Sequence, residues 1–258
     1  MNSLTVRSVK KAVDVLLAVA ESDRPLTLTE AAIAAGIPVP TARRLLVTLA
    51  ESSLVKREGN RYRLGVRAYE LGKRAERALG LIGASRPHLR RLADAVGENA
   101  NLAVLDGTEV VYLVCEECSR MVRAFTVQGA RVPAHATGVG KALLSGLSDE
   151  EIAGLYPQER LQQFTAKTIS TVQELLAEVR QARDLGYAAD EGEREEGVYC
   201  LAAPVRDHRG QIVAAVSVSG PSSRLAKSRN QVRSMVLECA RQISTDLGWN
   251  NNRRSQDI

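Results

Sequence analysis

Cysteine and histidine are scarce in this chain, and long apolar runs are missing. Its 258 residues hold four cysteines, Cys115, Cys118, Cys200 and Cys239, and three histidines, His88, His135 and His208. So few cysteines, with no secretory signal, fit a reducing, cytoplasmic setting. The opening stretch MNSLTVRSVKKAV lacks the apolar h-region of such a signal. No run of about eighteen apolar residues is present, so neither a membrane span nor a membrane partner is expected. Cys115-Glu116-Glu117-Cys118 has the spacing of half a metal site, but no second Cys/His pair accompanies it. A zinc site needs about four ligands, and a strand end with its loop is the simpler reading. Cys200 and His135 could be drawn as nucleophile and base, yet no third orienting group and no nucleophile elbow are recognisable. No metal, no cofactor and no enzymatic activity are therefore expected.

What the chain does have is an uneven charge. Residues 1–75 carry 13 Lys/Arg and 7 Asp/Glu, a net +6, while the remainder carries 22 and 23, a net −1. Basicity confined to one end points to a nucleic-acid contact there and a near-neutral remainder. The length suits two domains.

The basic segment reads as helix, helix, turn, helix, hairpin. Val9, Val13, Leu16, Leu17 and Ala20 recur at helical spacing. TEAAIAAG is a short second helix ended by Gly36, and IPVP is a turn. A third helix follows, with Ala42, Leu45, Leu46 and Leu49 on one face. Thr41, Arg44 and Thr48 lie on another face, with Arg43 beside them. Pro40 suits the first helical turn, where its missing N–H would be unpaired anyway. In LVKREGNRYRL, alternation around EGN predicts a hairpin. This is a winged helix-turn-helix, whose third helix can lie in a major groove. Pro40, Thr41, Arg43, Arg44 and Thr48 would face bases and phosphates. Lys56, Arg57, Arg61 and Arg63 in the wing would lie along adjacent phosphates.

Beyond the wing, Ala68, Leu71, Ala75, Ala78 and Ile82 step by three and four, a seam suited to packing a linker helix on its twin. Pro87 is read as restarting a helix that runs to Gly97. NLAVLDGTEVVYLV predicts a hairpin about Asp106-Gly107, and MVRAFTVQG another strand. SDEE and TVQE are capping boxes that open helices, the second ending at Gly186. GVYCLAAPV and QIVAAVSVSG are strands joined by RDHRG. A final helix buries Val232, Met235, Val236, Cys239, Ile243 and Leu247. An antiparallel sheet with flanking helices is an α+β, sensor-like domain. The expected limits are 1–65 for the DNA-binding domain and 66–80 for the linker and dimerisation helix. Residues 81–250 would form the effector domain, and 251–258 a polar tail.

Four stretches carry a family resemblance. They are GIPVPTARRLLVTL, NRYRLGVRAYELG, HATGVGKALLSGLSDEE, and DEGEREEGVYCLAAPV followed by AAVSVSGP. From about Val6 to Leu247 the chain resembles the IclR family of bacterial transcription regulators, named for the isocitrate lyase regulator. The resemblance implies a winged-helix domain, a linker helix and a C-terminal GAF-like effector domain. It implies homodimers or homotetramers that bind pseudo-palindromic operator DNA and respond to a small organic acid, as repressor rather than activator. It also implies that the acid lies at Gly138, Val139, Asp190, Cys200, Ser217 and Ser219.

The residues speak to that pocket independently. Period two puts Val198, Cys200 and Ala202 on one face of their strand, and Ser217 and Ser219 on one face of theirs, opposite Val216 and Val218. Buried serines are costly unless bonded. They either bond neighbouring backbone or line a polar pocket, which Asp190 could join. The glycine-containing entry to the helix in HATGVGKALL offers N–H groups that favour a carboxylate. Met121 and Ala124 would close the pocket from an opposite strand. Two other functions remain open on the residues alone: a redox- or metal-responsive regulator acting through Cys115 and Cys118, and an enzyme with an appended winged helix.

Overall fold

The computed structural model describes residues 5–120 and 126–250, and at 77–79 the backbone only. Met121, Ala124, most of the strand expected over MVRAFTVQG and the 251–258 tail lie outside the described residues. The chain divides into two units, Met1–Leu79 and Gly80–Ile258.

The first unit contains α1 (Arg7–Ala20), β1 (Leu26–Thr27), α2 (Leu28–Ala34), α3 (Val39–Glu51), β2 (Val55–Glu58), β3 (Arg61–Leu64) and α4 (Val66–Leu79). Thr27 and Glu30 form a capping box that fixes the start of α2. Gly36, at φ +63°, turns the chain out of that helix in a conformation that a side chain would strain. Pro38 and Pro40 then set the entry to α3. The order β1-β3-β2 makes a small antiparallel sheet whose β2–β3 pair is the wing, in register from Val55↔Leu64 to Glu58↔Arg61. Val15, Val19, Ala31, Leu46, Leu49, Val55 and Tyr62 close one core. The helix-turn-helix, the wing and the α3 core face expected from the sequence are thus present.

The face of α1 is not the one expected. Val15, Ala18 and Val19 are buried, whereas Val9 is 60% and Leu17 50% exposed, and Ala20 is exposed too. The helix carries two apolar stripes at equal spacing, and periodicity cannot tell which one packs inward. The seam is also interrupted. α4 ends at Leu79, Gly80 takes a left-handed conformation, and Ile82 belongs to the next helix, buried in the core of the second unit. Ala68, Leu71 and Ala75 lie on α4, and the side chain of Ala78 is outside the described set.

The second unit begins with α5 (Leu81–Val96). Pro87 sits inside it rather than starting it. The ring removes one N–H and leaves the Gly83 carbonyl without its helical donor, while Leu81, Ile82, Leu89 and Leu92 hold the helix on the core. There follow β4 (Asn99–Asp106), β5 (Glu109–Glu116), β6 (Arg131–Pro133) and a 3-10 turn (Ala134–Ala136). Next come α6 (Gly138–Leu144), α7 (Asp149–Leu155), α8 (Val172–Leu185), β7 (Ala188–Asp190), β8 (Val198–Arg206) and β9 (Ile212–Pro221). The chain closes with α9 (Ser222–Leu225), a 3-10 turn (Ala226–Ser228) and α10 (Arg229–Asp246). Both capping boxes form, at Ser148/Glu151 and Thr171/Glu174. Thr126–Gly129, the described end of the expected strand, is irregular and turn.

Six antiparallel strands form one sheet in the order β6-β5-β4-β9-β8-β7. Alternation splits its residues between two cores. Leu102, Leu201, Val216 and Val218 face α5 and α10. Ala103, Ala202 and Ala215 face α6 and α8, under Val139, Leu143, Leu175 and Val179. The small residues on this second face let α6 approach closely. A Cβ on Gly140 would lie 2.1 Å from the Ala134 carbonyl oxygen, so only glycine fits there.

Candidate effector cavity and nucleic-acid face

On the first unit the residues expected to meet DNA are at the surface. Pro40, Arg43, Arg44 and Thr48 are exposed and Thr41 half-buried on α3. Among the described residues the guanidiniums of Arg43 and Arg44 have no hydrogen-bond or ionic partner. The Thr48 hydroxyl donates back to the Arg44 carbonyl, 3.2 Å away. The wing differs. Lys56 (3.2 Å) and Arg63 (2.8 Å) converge on Glu58, and they hold its carboxyl below the ordinary range. Arg57 donates to the Gly59 carbonyl at 2.8 Å, and Arg61 to the Pro25 carbonyl at 2.9 Å, close to Glu30.

In the second unit a cavity of about 480 Å³ opens on the α6 side of the sheet, a volume that suits a small ligand. Register explains its lining. Asp190 pairs with Cys200 and Cys200 with Ser219, so the three side chains form a row across β7, β8 and β9. All three line the cavity, with Thr137, Tyr112 and Arg194. The next row towards α6 contains Ala202, Ser217, Asn101 and Cys115, directly opposite one another across β8, β9, β4 and β5. Ser217 is buried in this second row rather than on the cavity wall, its hydroxyl lying towards the Cys200 sulfur.

The helix entry is less open than the sequence suggests. The Gly140 N–H is taken by the Thr137 hydroxyl at 3.2 Å, and the Val139 N–H is directed at the Cys200 sulfur. Gly138 is hemmed in instead, where a Cβ would stand 3.1 Å from the Cys200 carbonyl oxygen. Asp190 is also engaged, since its Oδ1 accepts the Glu193 N–H at 2.6 Å. Burial still raises its pKa above the ordinary carboxylate value, against the pull of those backbone donors and of Lys141.

Lys141, Asn101 and Arg194 escaped the sequence reading. The Lys141 ammonium is buried and bonds Glu193 at 2.6 Å and Glu178 at 3.2 Å. This pins the 190–197 loop to α6, and the Thr165 hydroxyl donating to the Gly192 carbonyl (2.7 Å) holds the same loop. The loop presents Arg194, whose guanidinium lies 4.2 Å over the Phe164 ring and has no carboxylate partner among the described residues. An asparagine in the apolar strand NLAVLD and a lysine among the alanines and leucines of GKALL were the available signals.

Cys115 and Cys200 are poor redox groups. Cys115 is the penultimate residue of β5 and Cys118 lies in the loop beyond it, its N–H donating to Asn99 at 2.9 Å. Burial pushes the Cys115 thiol up to about 11 and Cys200 up to about 12, so little thiolate forms near neutrality. Among the described residues no cluster of three or more His, Cys, Asp or Glu could hold a metal ion. His135 bonds the Gln162 carbonyl at 2.9 Å and stacks on Phe164. Nothing there arranges it as a base for Cys200. No single helix among the described residues is long and apolar enough to cross a membrane.

Comparison with known proteins agrees with this architecture. Residues 8–59 match the IclR helix-turn-helix domain, and residues 74–245 match the bacterial transcriptional regulator IclR C-terminal domain. The chain is 37% identical to the HTH-type transcriptional regulator BhcR of Paracoccus denitrificans over 242 residues, covering 93% of this chain and 86% of that one. It is 34% identical to the HTH-type transcriptional repressor AllR of Escherichia coli K12 over 245 residues, covering 94% and 90%. A solved IclR homologue from Microbacterium hydrocarbonoxydans, complexed with 4-hydroxybenzoate, matches with TM-score 0.83 at 26% identity, over 93% of this chain and 98% of that one. A winged helix-turn-helix followed by an α+β, GAF-like domain, matched along nearly its whole length, makes this chain a member of the IclR family of DNA-binding bacterial transcription regulators.

Proposed function

We propose that the protein is a repressor released from pseudo-palindromic operator DNA by a small organic acid. In this reading residues 1–65 grip DNA, 66–80 link and dimerise, and 81–250 hold the effector. Pro40, Thr41, Arg43, Arg44 and Thr48 read the major groove. Lys56, Arg57, Arg61 and Arg63 lie along flanking phosphates. The acid sits in the cavity of Asp190, Cys200 and Ser219, with Ser217, Gly138 and Val139 behind them and Met121 and Ala124 closing it.

The observation that carries the DNA reading is the pair of exposed, unpartnered guanidiniums at the start of α3. An arginine fork that is not already bonded is free to meet a phosphate or a guanine edge. A role in repression is supported by the name of the relative AllR, and an acid effector by the 4-hydroxybenzoate held by a structural neighbour. Self-association is supported by apolar side chains left at the surface of the first unit, with Val9 on α1 60% exposed and Tyr69 on α4 67% exposed.

A gel shift with the DNA upstream of the protein's own gene tests the reading. A retarded band that disappears with one member of a panel of keto, hydroxy and aromatic acids is the expected result. No shift with any upstream palindrome would overturn the DNA assignment. A shift that no acid alters would overturn the effector assignment.

A further inference from the structure

Val47 lies on α3 with nearly half of its surface, 47%, exposed. Stability does not account for it. A β-branched residue lowers helix propensity, and this one points away from the core that Ala42, Leu46 and Leu49 close. Helical spacing puts it beside Arg43 and Arg44, four and three residues earlier, and all three are exposed. The two guanidiniums have no partner among the described residues. The neighbouring Thr48 hydroxyl spends its proton on the Arg44 carbonyl, 3.2 Å away. A lone surface valine needs no explanation. A valine in the middle of the face that the free arginines turn outwards does.

The major groove offers hydrogen-bond donors and acceptors, and one apolar group, the C5-methyl of thymine. Arginine forks read the polar edges, whereas only an apolar contact reads the methyl. In a helix a valine holds almost a single χ1 rotamer. Its two methyls therefore stand at fixed positions and give up little freedom on contact. We infer that Val47 reads a thymine methyl in each operator half-site, next to the groups that Arg43 and Arg44 meet. Val47 then sets sequence preference without adding to the charge that holds the DNA. This rests on the reading of α3 as the helix that enters the major groove.

The test replaces thymine by uracil, which pairs alike and lacks only the methyl. The DNA upstream of the protein's own gene is amplified with thymidine or with deoxyuridine triphosphate, and the full-length protein is titrated with both forms by fluorescence anisotropy. Wild type binds the uracil form about fourfold more weakly for each half-site, the worth of burying one methyl-sized group. In Val47→Ala the thymine-to-uracil ratio falls towards one, because the side chain that met the methyl is gone. Arg61→Ala in the wing weakens both forms and keeps the wild-type ratio. Single thymine-to-uracil changes then place the wild-type loss at one position in each half-site, where Val47→Ala is indifferent. Equal binding of the two forms by wild type overturns the assignment and leaves the DNA reading in place. An unchanged ratio in folded Val47→Ala does the same, since a loss that came from altered duplex stiffness would persist in the variant. Failure of wild type to bind either form overturns the DNA reading with it.

Discussion

The two candidate binding regions of this protein keep their polar groups in opposite ways. On α3 the groups are cations at the surface, unpartnered but hydrated, so leaving them bare costs little and DNA can take them up by exchanging counterions. In the cavity of the second unit the Asp190 carboxyl, the Ser219 hydroxyl and the Cys200 thiol are buried, and an unmet hydrogen bond there is expensive. The first arrangement suits a partner recognised by charge. The second suits one recognised by the position of single atoms. The wing lies between these limits, with its cations held by Glu58 and by backbone carbonyls.

The largest expected effect is at the buried end of this comparison. Lys141→Met strands Glu193 in the interior without its cation, and breaking a buried pair in this way should cost about 3–5 kcal/mol of stability. Glu193 already has its pKa raised by burial, and Lys141 opposes that rise. Removing the lysine raises it further. A carboxyl whose folded pKa exceeds its unfolded value gains folded-state stability as pH falls, once protonation sets in near the folded pKa. Thermal melts of the variant should therefore show partial recovery below neutrality, relative to wild type. A deficit that is constant with pH would contradict the uncompensated carboxylate.

At the exposed end the effects are smaller and leave folding alone. Arg44→Ala should lose about 1–3 kcal/mol of operator affinity with unchanged oligomeric state. Wild-type affinity in fluorescence anisotropy would remove Arg44 from the interface. In the wing, Arg61→Ala should flatten the plot of log affinity against log salt by about one phosphate contact, a slope change of roughly 0.9, for all sequences alike. The smallest change should come from Glu58→Gln, which frees Lys56 and Arg63 from an exposed carboxylate. Such exposed pairs are weak and screened by salt, so DNA binding should strengthen modestly and depend more steeply on salt. Weaker binding would mean that Glu58 positions the wing rather than competing for its cations.

Legibility followed the same division. Periodicity, caps and turn residues announced α2, α3, the wing, the β4–β5 hairpin and the pairing of inward serines, because each is a local pattern. The choice between two apolar stripes on α1 was hidden, since only packing decides it. So was the break at Gly80, which divides one continuous helical pattern between two units. Period two put Cys200 and Ser219 on the faces of their strands that line the cavity, and β-register brings Asp190 beside them. Ser217, although on the same face, lies one row deeper. The fully capped Gly140 N–H was not foreseeable, because Thr137 serves that amide through a rotamer the sequence does not record. Asn101 and Arg194 were missed for a related reason. Their neighbours, Ser219 for Asn101 and Phe164 for Arg194, come from distant parts of the sequence and meet them only in the folded chain.

The central claim is that occupancy of the cavity controls the grip on DNA. Ser219→Ala removes one hydroxyl from the cavity wall, far in sequence from α3 and the wing. Operator binding should be titrated by anisotropy for wild type and variant, against rising concentrations of the acid that releases wild type. The account predicts wild-type operator affinity without acid, and a release midpoint shifted by about 1–3 kcal/mol, roughly 5- to 150-fold in concentration. Release of the folded variant at the wild-type concentration would contradict it.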